Sequence, residues 1–166
     1  MSRHSALFLV LVLCCPVLVH AADSGKVEGK LVVDGKTIKL THVYAIADTN
    51  QSNEMFYKIL FSDVALTDKD ITLFPDAQME LINGGKLHVL KLGLDNDRHF
   101  YAADIFDATG LPTIKEPSKF ELTAFDGKTI AGRLHLDKPY KDMGGSTYQY
   151  DVKFNAPLRP GTDFLP

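Results

Sequence analysis

Three features of this chain predict an all-β fold. Apolar side chains recur at every second position over most of its length, Asp-Gly pairs punctuate the alternation at two places, and only one segment carries helix-start signals. Seven or eight strand-sized segments separated by turn residues point to an antiparallel, immunoglobulin-like β-sandwich with one short or broken helical insertion. A small closed β-barrel satisfies the same pattern and is the alternative.

Val27 to Val33 and Lys36 to Ala47 form the first predicted hairpin, joined at Asp34-Gly35, a pair that accepts the positive φ angles of a two-residue turn. In its second strand Ile38, Leu40, His42, Tyr44 and Ile46 fall on one face. A polar loop from Asp48 to Asn53 follows, then Met55 to Phe61, apolar on both faces and so predicted to be central. Thr67 is placed to cap a helix opening with Asp68 and Asp70, whose charges suit its positive end. Pro75 interrupts that helix, Asp76 restarts a short turn through Leu81, and Gly84-Gly85 ends it.

Strands resume at Lys86 to Leu94 and Arg98 to Phe106 around a turn at Asp95–Asp97. A loop with Gly110, Pro112 and Pro117 leads to Lys119 to Phe125, a second Asp-Gly turn at Asp126-Gly127, and Lys128 to Leu136. The closing strand, Thr147 to Asn155, sends Tyr148, Tyr150, Val152 and Phe154 inward and Gln149, Asp151 and Lys153 outward. Residues 157–166 carry three prolines and read as an extended tail, which leaves 22–156 as the folded domain.

Residues 1–21 read as an export signal. Arg3 and His4 precede an apolar run from Ala6 to Val19, and Val19-His20-Ala21 offers a cleavage site after Ala21. The run is too short to span a bilayer, for which about 20 residues are needed, so no stable membrane insertion is expected after cleavage. Both cysteines, Cys14 and Cys15, lie in this leader, so the expected mature chain has no thiol chemistry and no cysteine-based metal site. Without Arg3, 17 basic residues face 21 acidic ones, a net charge near −4 that argues against nucleic acid as a partner. The expected location is periplasmic or secreted.

No phosphate-cradling glycine loop and no Gly-x-Ser-x-Gly nucleophile turn occurs. Asp95, Asn96 and Asp97 resemble the start of a calcium loop, but His99, Phe100 and Phe106 stand where its later ligands and glycine belong. The four histidines of the mature chain, His42, His88, His99 and His135, are not paired at ligand spacing, so no metal or other cofactor is expected. His42 lies on an apolar strand face, and His135 shares a polar face with Arg133 and is expected to be exposed. His99 with Asp97 or Asp104 is a candidate acid–base pair that also fits an ordinary strand after a polar turn. A histidine within reach of two carboxylates in a cleft would favour a hydrolase.

The aromatics suggest recognition instead. Tyr140 and Met143, in the loop from Lys138 to Gly145, are candidate exposed contacts, and His42 with Tyr44 forms a second candidate pair. No catalytic residue is assigned.

The segment Gly29 to Ala45 (GKLVVDGKTIKLTHVYA) and the closing Tyr150 to Leu158 (YDVKFNAPL) resemble a family of exported bacterial β-domain proteins of uncharacterised function. The resemblance implies a periplasmic or secreted location and supplies no reaction, ligand or catalytic residue. The expected function is a non-enzymatic binding domain for an envelope protein or small ligand. An envelope hydrolase using His and Asp and a histidine-based copper or zinc binder are the alternatives.

Overall fold

The computed structural model describes residues 24–50 and 52–161. The leader therefore lies outside the described residues, as do the last five positions. The fold is all-β. Eleven strands hydrogen-bond into a sheet curled into a half-barrel. They are β1 (Lys26–Val33), β2 (Lys36–Lys39), β3 (His42–Thr49), β4 (Met55–Ser62), β5 (Val89–Leu94), β6 (Phe100–Phe106), β7 (Thr113–Ile114), β8 (Ser118–Phe125), β9 (Thr129–Leu136), β10 (Tyr140–Lys141) and β11 (Thr147–Pro160). The helical insertion between β4 and β5 comprises α1 (Asp68–Thr72), a 3-10 turn (Asp76–Gln78) and α2 (Met79–Asn83).

The long strand β11 organises the sheet. It runs antiparallel to β1 along one edge and to β10 and β9 along the other, and its last residues, Leu158 to Pro160, pair in parallel with Ala45 to Ala47 of β3. From β3 the sheet continues antiparallel through β4, β5, β6 and β7. Pro157 to Pro160, predicted to belong to a tail, thus continue the closing strand. Two-residue strands and a split hairpin account for the count above the seven or eight anticipated.

That split lies at Leu40–Thr41. The amide of Leu40 donates to Gly29 in β1, and the next amide, Thr41, donates to Ser62 in β4. The chain changes partner at one peptide, and the inward face changes with it. Ile38 and Leu40 belong to the central cluster, and beyond the crossing it is Val43 and Ala45 that join them, while Tyr44 and Ile46 enter a second cluster. The single face predicted for Ile38 through Ile46 is therefore corrected, because alternation survives only while a strand keeps its partners.

The central cluster fills the curl of the sheet. Phe61 of β4 meets Phe154 of β11 edge to face at 5.1 Å between centroids, and Tyr57 meets Phe125 of β8 at 5.6 Å. A phenylalanine ring buried as fully as Phe61 contributes about 1.5–3 kcal/mol by leaving water. Tyr148, Tyr150, Val152 and Phe154 are all buried, as their alternation predicted. The second cluster lies on the other face of the sheet, where Tyr44, Ile46, Leu60, Val89 and Phe106 pack against Leu66, Ile71 and Ile82 of the helical insertion. β4 is thereby covered on both sides, as its composition required.

Thr67 caps α1 as its position suggested. Its Oγ1 accepts from the Asp70 amide at 3.2 Å, and the Asp70 carboxylate accepts from the Thr67 amide at 2.8 Å. Among the described residues no helix is long and apolar enough to cross a membrane.

Candidate functional site

The residues singled out from sequence fall in different parts of the fold. Tyr44 is 1% exposed, and its oxygen accepts from the Leu66 amide at 2.9 Å, tying β3 to the entrance of the helical insertion. Burial raises its phenol pKa. His42 is half-buried, stacked on Tyr44 with centroids 6.5 Å apart, and its Nδ1 lies 2.9 Å from Thr41 Oγ1. Tyr140, expected to be exposed, is half-buried, because β10 pairs with β11 and lays the ring against the central cluster. Met143 is fully exposed in the turn that follows, where the Asp142 carboxylate accepts from the Ser146 amide at 2.9 Å. Of the four, the fold brings Tyr44 together with His42 alone.

The histidines also differ from expectation. His99 is exposed and its Nδ1 faces Asp95 at 3.4 Å, not Asp97 or Asp104. Asp104 is held instead by Lys91 at 2.6 Å and by Thr113 at 2.7 Å. His135 is buried, a correction to its predicted exposure. Lys119 and Asp151 are its cross-strand neighbours, its Nε2 lies 3.2 Å from Asp137, and its Nδ1 is left without a hydrogen-bond partner. Among the described residues no group of three or more His, Cys, Asp or Glu side chains is arranged to hold a metal ion.

His88 sits in a cluster that short-range spacing does not reveal. Ser62, Val89 and Phe106 are aligned neighbours in β4, β5 and β6, so the adjoining residues Asp63, His88 and Asp107 emerge side by side from one end of the sheet. Asp63 accepts from the His88 amide at 2.9 Å and lies 2.7 Å from Nδ1, while Nε2 stands 3.3 Å from Asp107. The other oxygen of Asp107 accepts from the Thr109 amide at 2.8 Å.

Such an arrangement meets the distance condition for acid–base chemistry but not the condition of access. A general base needs one ring nitrogen turned toward a substrate proton. Here both nitrogens face carboxylates, and the His88 and Asp107 side chains are only 8% and 6% exposed. The cluster pins three strand ends together.

At the opposite end of the same strands lies an open groove of about 820 Å³ between the β3–β4 loop and the β5–β6 turn. Its polar lining consists of the amides of Asn50, Asn53 and Asn96 and the carboxylates of Glu54, Asp95 and Asp97; Met55, Phe56 and Tyr101 supply apolar surface. Both rims are braced. Asn50 Oδ1 accepts from the amides of Ser52 and Glu54, each at 2.9 Å, and the Asp95 carboxylate accepts from the His99 amide at 2.8 Å.

Tyr101 owes its position to two local features. Gly93 pairs with Ala102 and Leu94 with Phe100, so Tyr101 is the extra residue of a β-bulge, a device that re-aims a side chain. Its ring lies against Gly93, where an added Cβ would come within 2.4 Å of the ring carbon Cζ. A glycine is required there by that close approach. Tyr101 remains 44% exposed, and burial of part of the ring, with the nearby Asp104 charge, raises its phenol pKa.

Sequence reasoning placed Asp95, Asn96 and Asp97 in a turn and did not single out Tyr101. The turn was legible from its residue types. The bulge depends on pairing register, which no local motif encodes. No protein-family model, curated protein or solved structure matches the chain.

Proposed function

We propose that this chain is an exported, non-enzymatic binding domain that holds a small ligand in the groove between the β3–β4 loop and the β5–β6 turn. The observation that carries the reading is the pairing of a braced concave surface of about 820 Å³ with a fixed, half-exposed aromatic ring at Tyr101. Ligand sites of about 300–1,000 Å³ lined by aromatic surface and a few convergent polar groups are the common form. Support for export comes from the leader-like residues 1–21.

The Asp63–His88–Asp107 cluster favours a hydrolase as the second reading, on distance alone. The two readings separate in one experiment. Amide NMR spectra of the chain are recorded while a library of small sugars, amines, amino acids and peptides is added. Binding at the groove moves the signals of Asn53 to Phe56 and of Asp95 to Tyr101. Shifts centred on Asp63, His88 and Asp107, accompanied by ligand breakdown that His88→Asn abolishes, would replace binding with hydrolysis.

A further inference from the structure

Resting on the groove reading, we infer that the ligand is an organic polycation of the polyamine class, lying across the Tyr101 ring with its ammonium groups directed to Glu54, Asp95 and Asp97. The aromatic floor carries the argument. Tyr101 is projected by the bulge and packed on Gly93, so one surface of the ring already lines the groove before a ligand arrives. An aromatic face attracts an ammonium group, and does so more strongly when water is partly excluded, as in a groove.

Charge then selects among ligands that like aromatic surfaces. Three carboxylates line the groove, and no described lining residue is Lys, Arg or His. Of the two cations nearest along the chain, Lys58 reaches the Phe56 ring at the groove's edge but is neutralised by Asp48, and Arg98 is directed elsewhere. Lys58 is 2.5 Å from Asp48 and covers the Phe56 ring at 5.4 Å, and Arg98 lies over Phe125 at 5.0 Å. An anionic ligand would meet uncompensated repulsion here. A neutral sugar would find the ring and the amides but would leave Glu54 and Asp97 without counter-charge, whereas Asp95 already faces His99 Nδ1 at 3.4 Å.

The amide NMR titration decides the matter when run on the full chain with three probes: spermidine, maltotriose and calcium chloride. Spermidine is expected to shift Asn53 to Phe56 and Asp95 to Tyr101 in a saturable way. Its affinity should fall several-fold as ionic strength rises to about 0.15 M, where charges are screened beyond about 8 Å. Tyr101→Leu and the double variant Glu54→Gln, Asp97→Asn should each weaken spermidine about tenfold or more while leaving signals outside the groove in place. That last observation establishes that the variants fold.

Maltotriose binding at the groove with no spermidine effect overturns the polycation and keeps the groove. Calcium binding that displaces spermidine and is indifferent to Tyr101→Leu also overturns it, in favour of a metal ion. Groove signals unmoved by all three probes overturn the polycation. The groove reading itself falls when the wider library, too, leaves those signals unmoved.

Discussion

β4 carries a polar site at each end, and the two sites have opposite designs. At its last residue the His88 cluster turns every titratable atom toward another part of the protein, with Asp63 and Asp107 on the two ring nitrogens. At its first residue, roughly 23 Å away at about 3.3 Å of rise per residue, the groove holds its carboxylates at the surface around an exposed ring. The denser cluster of reactive residue types is thus the less available for chemistry. Hydrogen-bonding capacity used internally contributes to stability, and what remains open at the surface can bind.

The largest effect that tests this contrast is removal of the imidazole. His88→Ala leaves two carboxylates facing each other across a cavity, one of them 6% exposed, and removing the hydrogen-bond partner of a buried charged group costs about 3 kcal/mol. Urea denaturation at neutral pH should show the midpoint fall accordingly. A wild-type midpoint in this variant would mean that the cluster is not a structural pin, and the contrast between the two ends of β4 would fail.

Somewhat smaller is the alkaline response of a second internalised group. Burial pushes the Tyr150 phenol up to about 12, and its oxygen lies 2.5 Å from Ser118 Oγ. The unfolded chain loses this proton near pH 10 and the folded chain near 12, so the stabilisation is complete below pH 10 and disappears between those values. The difference is worth roughly 2–3 kcal/mol. Denaturation midpoints measured from pH 9 to 12 should fall more steeply for wild type than for Tyr150→Phe. Equal slopes would show that the phenol is not protected by the fold.

How far the sequence revealed these sites depends on whether each rests on local pattern or on register. Thr67 and its capping partner Asp70 are three residues apart and were legible, as was the burial of Tyr148 through Phe154 on β11. So was the Asp34-Gly35 turn, where both residues adopt positive φ. Asp63, His88 and Asp107 are brought together only by the alignment of three strands, and Tyr101 is redirected by one unpaired residue. The crossing at Leu40–Thr41 reversed a face for the same reason: alternation in the sequence is silent about which neighbour a strand has. Tyr140 was misjudged because a two-residue strand is too short to produce any alternation.

Gly93→Ala acts on the groove end through packing. The new methyl carbon would sit 2.4 Å from the Tyr101 ring, so the ring must leave the β5 backbone. Steric insertions of this kind cost about 1–3 kcal/mol, and here the lower part of the range applies because the ring is half-exposed and can swing outward. Thermal denaturation should register that modest loss, while the Tyr101 amide signal and its neighbours shift strongly. Unchanged signals for Tyr101 would remove the argument that Gly93 positions the floor of the groove.

The smallest expected change is the most informative about the contrast. Asp97 lines the groove and is exposed, and Asp97→Asn preserves its shape while removing its charge. Surface substitutions away from caps, cores and buried ion pairs stay within about 0.5 kcal/mol, so the unfolding midpoint should match wild type. A clear destabilisation would place Asp97 among the groups that the fold itself requires, as Asp107 is. A clear gain would carry the opposite meaning: the protein tolerates like-charge repulsion between Asp95 and Asp97 at a measurable cost to its own stability, which a cationic ligand would relieve on binding.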